Sequence, residues 1–160
     1  MREAGDVAVD AGRMLRRLGL KLAVAESCTG GMIGHCVTQA AGSSDYFLGG
    51  VIAYANAVKE NVLNVPPETL REHGAVSEPT ARAMAVGVRE LLSADVGLSI
   101  TGILGPSGGT EEKPVGLVFV GVAQVGGCEV RRFVHSGSRR AMKRQSCEAA
   151  LEFLRRQLGQ

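Results

Sequence analysis

Two hydrophobic periods divide this 160-residue chain. Val7, Ala11, Met14 and Leu18 recur at helical intervals, so the spacing predicts an amphipathic helix over residues 3–18 that stops near Gly19. Lys21–Ala25 is a short apolar strand. After the Thr29-Gly30-Gly31 turn, a helix is expected over residues 31–40, closing before Gly42-Ser43-Ser44. Gly49–Ala55 reads as a second strand, followed by a helix around Val58–Leu63. Pro66-Pro67 interrupts the chain, and a short helix is expected over Glu68–His73.

Ser77-Glu78-Pro79 carries a helix start: a capping hydroxyl, a first-turn acid, and a proline where no amide partner is needed. Met84, Val88 and Leu91 give that helix its buried stripe. Val96–Ile100 is a third strand. Residues 102–114 hold too many glycines and prolines for helix or sheet. Val115–Val125 and Glu129–Val134 read as a hairpin joined through Gly126-Gly127, and Cys147, Leu151, Leu154 and Leu158 mark a last helix. Helices between strands, with a terminal hairpin, predict a three-layer α/β/α sandwich on a mixed sheet. No linker or repeat divides the chain, so one domain over 1–160 is expected.

Composition narrows the function. The net charge of +2, with basic residues scattered until the last quarter, is too small a bias to indicate nucleic-acid binding. Trp is absent, and two Tyr and four Phe offer little surface for stacking bases. No apolar run approaches the roughly 20 residues of a membrane helix. The opening stretch MREAGDVAVDAGRMLRRLGL lacks a signal-peptide core, so a cytoplasmic location without membrane association is expected. Cys28, Cys36, Cys128 and Cys147 have no CxxC spacing, and three histidines complete no zinc pattern. No metal is expected, and Cys147 reads as core.

Two loops stand where α/β sheets gather ligands, after the first and third strands: ESCTGG and TGILGPSGGTEEKP. Both combine hydroxyls with glycines, which let main-chain N–H groups face an anion. Neither is a P-loop or a GxGxxG fingerprint. Ser27 stands at a strand-to-helix turn as a nucleophile or as a cap. Its base is open: His35 lies eight residues on, along the helix, while Lys59 follows the second strand in YANAVK. Desolvation can lower a lysine enough to accept a serine proton, and Tyr54 could relay it. Cys28 is either a second nucleophile or packing behind the loop. Arg139, Arg140, Lys143 and Arg144 form either a phosphate site at the last helix's start or a solvated basic face.

ESCTGG, YANAVK, HGAVSE and TGILGPSGGTEEKPVG, in this order, resemble the CinA C-terminal-domain family, which includes nicotinamide-nucleotide amidases of the PncC type. The resemblance runs from about residue 4 to 158. It implies the stand-alone form of a unit that elsewhere follows a nucleotide-processing domain. It also implies hydrolysis of the carboxamide of nicotinamide mononucleotide to nicotinic acid mononucleotide and ammonia, without cofactor or metal. On this resemblance Ser27 is the nucleophile, Lys59 the base and Tyr54 its companion. Ser44 and Thr101 line the substrate site and Arg139 meets its phosphate. Beside the resemblance, main-chain amides of Thr29, Gly30 and Gly31 are expected to bind the oxyanion, with Gly102 a further substrate-binding position. A homo-oligomer, most often a dimer, and a phosphorylated pyridine nucleotide are the implied partners; no nucleic acid is expected. A non-catalytic nucleotide-binding module in competence or DNA damage is the alternative. Leu104 replaces the usual alanine, Ser107 an aspartate or glycine, and Ser138 the aspartate before Arg139.

Overall fold

The computed structural model describes residues 3–160, so Met1 and Arg2 of the opening stretch lie outside the described residues. The first helix, α1 (Ala4–Leu18), ends on Gly19 in the left-handed conformation. It leads into β1 (Leu22–Glu26), α2 (Met32–Gln39), a 3-10 turn (Ser43–Asp45) and β2 (Phe47–Ile52). Next come α3 (Asn56–Asn61), α4 (Pro67–His73), α5 (Glu78–Leu91) and β3 (Val96–Gly102). The hairpin strands β4 (Leu117–Gln124) and β5 (Gly127–Val134) precede α6 (Arg139–Leu158). Ser77 caps α5 by accepting the Thr80 N–H, as the Ser-Glu-Pro signal predicts.

The five strands run in the order β2-β1-β3-β4-β5. β1 is parallel to both its neighbours, whereas β4 and β5 are antiparallel, so the sheet is mixed as expected. Each face of β1 is covered. Leu22 and Val24 join β3, β4, α1, α2 and α6 in one core, while Ala23 and Ala25 join Leu63, Leu70, Met84 and Val88 in the other. The predicted α/β/α sandwich is therefore the observed fold. Glycine sets the spacing on the second face: a Cβ on Gly97 of β3 would overlap the Ala85 carbonyl of α5.

The parallel register positions the site. Glu26, Ile52 and Ile100 lie side by side across β1, β2 and β3, so Ser27, Ala53 and Thr101 follow them at one edge. At this edge the chain leaves β1 toward β2 and leaves β3 toward β4, in opposite directions, so the gap between β1 and β3 is the switch point where such sheets open a crevice. β2 ends at Ile52, three residues before the predicted Ala55, because the carbonyls of Ala53 and Tyr54 turn away to accept from Lys59. For the same reason α3 starts at Asn56, ahead of the predicted Val58.

Candidate functional site

A buried serine is delivered to this edge by β1. Ser27 donates its main-chain N–H to Ile100 O at 3.1 Å, which extends the β1–β3 ladder by one residue. The chain then turns sharply: Gly30 N–H returns to Ser27 O at 3.1 Å, and Gly30 and Gly31 both take positive φ. This turn leaves the Ser27 side chain facing a cavity of about 280 Å³. Its wall includes Lys59, Tyr54, Thr101, Gly102, Leu104 and Arg139.

Lys59 is only 1% exposed. Its Nζ lies 3.2 Å from Ser27 Oγ, 2.7 Å from Ala53 O and 3.1 Å from Tyr54 O. Among the described residues none of its partners is a carboxylate. Burial lowers its pKa from the ordinary 10.5, since no ion pair offsets the lost hydration. A neutral amine has two hydrogens, and two carbonyls are there to take them. In that state the lone pair is left for the Ser27 hydroxyl 3.2 Å away, an arrangement suited to general-base work.

Tyr54 enters differently from the sequence expectation. Its main-chain carbonyl holds Lys59, while the phenol is exposed and lies 3.5 Å from Arg139 Nη2. The phenol thus has no contact with Lys59 through which to relay a proton. Arg139, the first residue of α6, donates from Nη1 to Gly105 O at 2.6 Å and stands at the cavity. Ser138 caps α6 by accepting Ala141 N–H at 3.1 Å, so a serine before Arg139 still supplies a capping oxygen.

Thr101 and Gly102 line the cavity as expected, although the Thr101 hydroxyl is committed to Ala75 O at 2.7 Å. Thr29, Gly30 and Gly31 do not line it. The Thr29 hydroxyl goes to Glu26 and the Gly30 amide closes the turn on Ser27 O, so these two groups build the loop. Ser44 also falls outside. It sits in the 3-10 turn before β2, exposed, whereas the cavity opens beyond that strand's other end. His35 points elsewhere, its Nε2 3.1 Å from Gln39 Nε2, and is not Ser27's base. Cys28 borders the cavity, but burial pushes its thiol up to about 12, which removes it as a nucleophile near neutral pH.

Three contributing residues, Ala75, Val76 and Glu26, were not singled out from sequence. Ala75 and Val76 close one side of the cavity, in the HGAVSE stretch between α4 and α5. Glu26 is buried beneath the serine turn, where a charged residue ending a strand gave no signal beyond its place next to Ser27.

An α/β/α sandwich with a serine–lysine pair at its switch point defines the structural class. The CinA C-terminal domain model matches residues 5–158, and this chain belongs to that family. A CinA-like protein of Citrifermentans bemidjiense is 52% identical over 91% of this chain, and one of Geobacter sulfurreducens is 47% identical over 96%. The chain spans 35% and 38% of those two proteins, about a third of their length. Solved structures match end to end. The CinA superfamily protein KP700603 of Klebsiella pneumoniae superposes with a TM-score of 0.95 at 32% identity, covering 99% of both chains. The competence/damage inducible protein CihA of Agrobacterium tumefaciens gives 0.94 at 36% identity, covering 100% of this chain and 98% of its own.

Proposed function

We propose that this protein hydrolyses the carboxamide of nicotinamide mononucleotide, with Ser27 as nucleophile and Lys59 as general base. The observation that carries the proposal is the 3.2 Å approach of a buried, carboxylate-free Lys59 Nζ to Ser27 Oγ. A module that only bound nucleotides would have no use for a desolvated lysine aimed at a serine.

Lys59 accepts the Ser27 proton as Oγ bonds to the amide carbon. Charge on the carbonyl oxygen falls to main-chain amides, with Cys28, directly after the nucleophile, in the position that supplies such a donor at strand-to-helix turns. Lys59 returns the proton to the nitrogen, the C–N bond breaks and ammonia leaves. Water, deprotonated by the same lysine, then opens the ester and restores Ser27. Arg139 suits the 5′-phosphate, since its guanidinium stands at the cavity and its main chain opens α6.

Product analysis after incubation with nicotinamide mononucleotide tests this. Wild type should release ammonia and the acid. Ser27→Ala should release none, and Lys59→Met should lose about 10²–10⁴-fold in kcat. Calorimetric binding without product from the wild type would replace the amidase by a binding module.

A further inference from the structure

The residue immediately before the nucleophile is a buried glutamate with an unusual set of partners. Glu26 is 2% exposed. Its Oε1 accepts from Thr29 Oγ1 at 2.6 Å and from Ile33 N–H at 2.9 Å, and its Oε2 accepts from Gly34 N–H at 3.0 Å. Ile33 and Gly34 are the second and third residues of α2, whose own N-cap, Gly31, has no side chain to offer them. The first turn of α2 holds no acidic residue either. The carboxylate at the end of β1 therefore caps a helix that starts six residues later.

The same residue grips the other half of the pair through its main chain. Glu26 O accepts Ala53 N–H at 2.7 Å, and Ala53 O in turn accepts from Lys59 Nζ at 2.7 Å. One residue thus fixes the turn that presents Ser27 and the segment that holds Lys59. A buried carboxylate is costly to desolvate, and these three charge-assisted bonds offset that cost only while the turn keeps its shape.

We propose that Glu26 is the positioning residue of the site: its carboxylate locks the Ser27–Gly34 turn so that Oγ stays in line with the Lys59 amine. This rests on the serine–lysine reading above, but not on the identity of the substrate. Glutamine is the informative replacement. It keeps Oε1 for Thr29 and Ile33 but puts an NH2 against the Gly34 N–H, so one bond becomes a donor–donor clash. The turn should loosen without a cavity.

The test follows Ser27 directly. Phenylmethanesulfonyl fluoride sulfonylates an activated serine: the Oγ–S bond forms, fluoride leaves, and the base takes the hydroxyl proton. Intact-mass spectrometry gives the rate for wild type, Glu26→Gln, Glu26→Ala and Val88→Ala, a core truncation in α5 on the opposite face, with the Tm of each. The expected result is a labelling rate about 10- to 100-fold lower in Glu26→Gln, with KM for nicotinamide mononucleotide within about twofold of wild type. Val88→Ala should match or exceed its loss of Tm while labelling at the wild-type rate. Glu26→Gln labelling like wild type, or Val88→Ala losing reactivity in proportion to Tm, would overturn the positioning role. A wild type that is not labelled at Ser27 would instead remove the serine–lysine reading, and this inference with it. Should Glu26→Ala fail to fold, the glutamine variant alone decides.

Discussion

A lysine taken out of water is a stronger base catalyst at neutral pH than one on the surface, because the charged form has lost its hydration. At Lys59 this predicts a pH profile. With Lys59 as the proposed base the neutral amine is the active form, so kcat/KM should climb as pH rises through the lowered pKa and level off above it, with the midpoint below 10.5. An ascending limb unchanged by burial, centred at or above 10.5, would contradict the assignment. Cys28 moves in the opposite sense. With a thiol at about 12, the thiolate fraction at pH 7 is on the order of one in 10⁵, so iodoacetamide should leave turnover intact, as should Cys28→Ala. Ser27 and Cys28 were both open as nucleophiles in the sequence, and neighbouring positions in one turn gave no way to choose. The raised thiol of Cys28 and the 3.2 Å approach of Lys59 Nζ to Ser27 Oγ are what favour the serine.

At the scale of elements, helix starts and the sheet's glycines carry the consequences. Ser138 caps α6 just before Arg139, so Ser138→Ala should cost about 0.5–2 kcal/mol in urea unfolding. It should also raise KM more than it lowers kcat, because the loosened turn holds Arg139 and not Ser27. On β3, Gly97→Ala would press a methyl group on the Ala85 carbonyl of α5, a main-chain atom that no rotamer change can move. A loss of about 1–3 kcal/mol is expected, read as a lower urea midpoint with unchanged m-value. Elements of this kind were legible because caps and periodicity are local. The helix over 3–18, the Ser77 cap and the glycine-joined hairpin all appear where the pattern puts them, to within a few residues. The end of β2 was not legible. Ala53, Tyr54 and Ala55 continue the strand pattern past Ile52, and the chain leaves the sheet where two of their carbonyls turn to a lysine side chain several residues later. Ser44 failed for a similar reason: a hydroxyl after a helix carries no mark of which end of the next strand it will occupy.

For the molecule as a whole, Lys59 is a charge that folding has to bury, and its effect on stability depends on pH. The unfolded chain keeps Lys59 protonated up to about 10.5, while the folded chain releases that proton at a lower pH. Between those two values the unfolded state binds more protons, so this residue's contribution to stability rises with pH. Below the lowered value both states are charged and the full cost of burying the ammonium is felt; above 10.5 neither is charged and the cost is gone. Lys59→Met removes the titration altogether, although it also strips Ala53 O and Tyr54 O of their donor. The absolute stability of the variant mixes these two effects, but its pH dependence does not. The difference in unfolding free energy, variant minus wild type, should be most favourable to the methionine and level below the lowered pKa, fall between that value and 10.5, and level off again above it, the total drop being about 1.4 kcal/mol for each pH unit by which burial lowers the lysine. Urea titrations of both proteins at a series of pH values measure that difference. A flat difference would mean that Lys59 titrates alike in both states, and the base proposed for Ser27 would lose its physical basis.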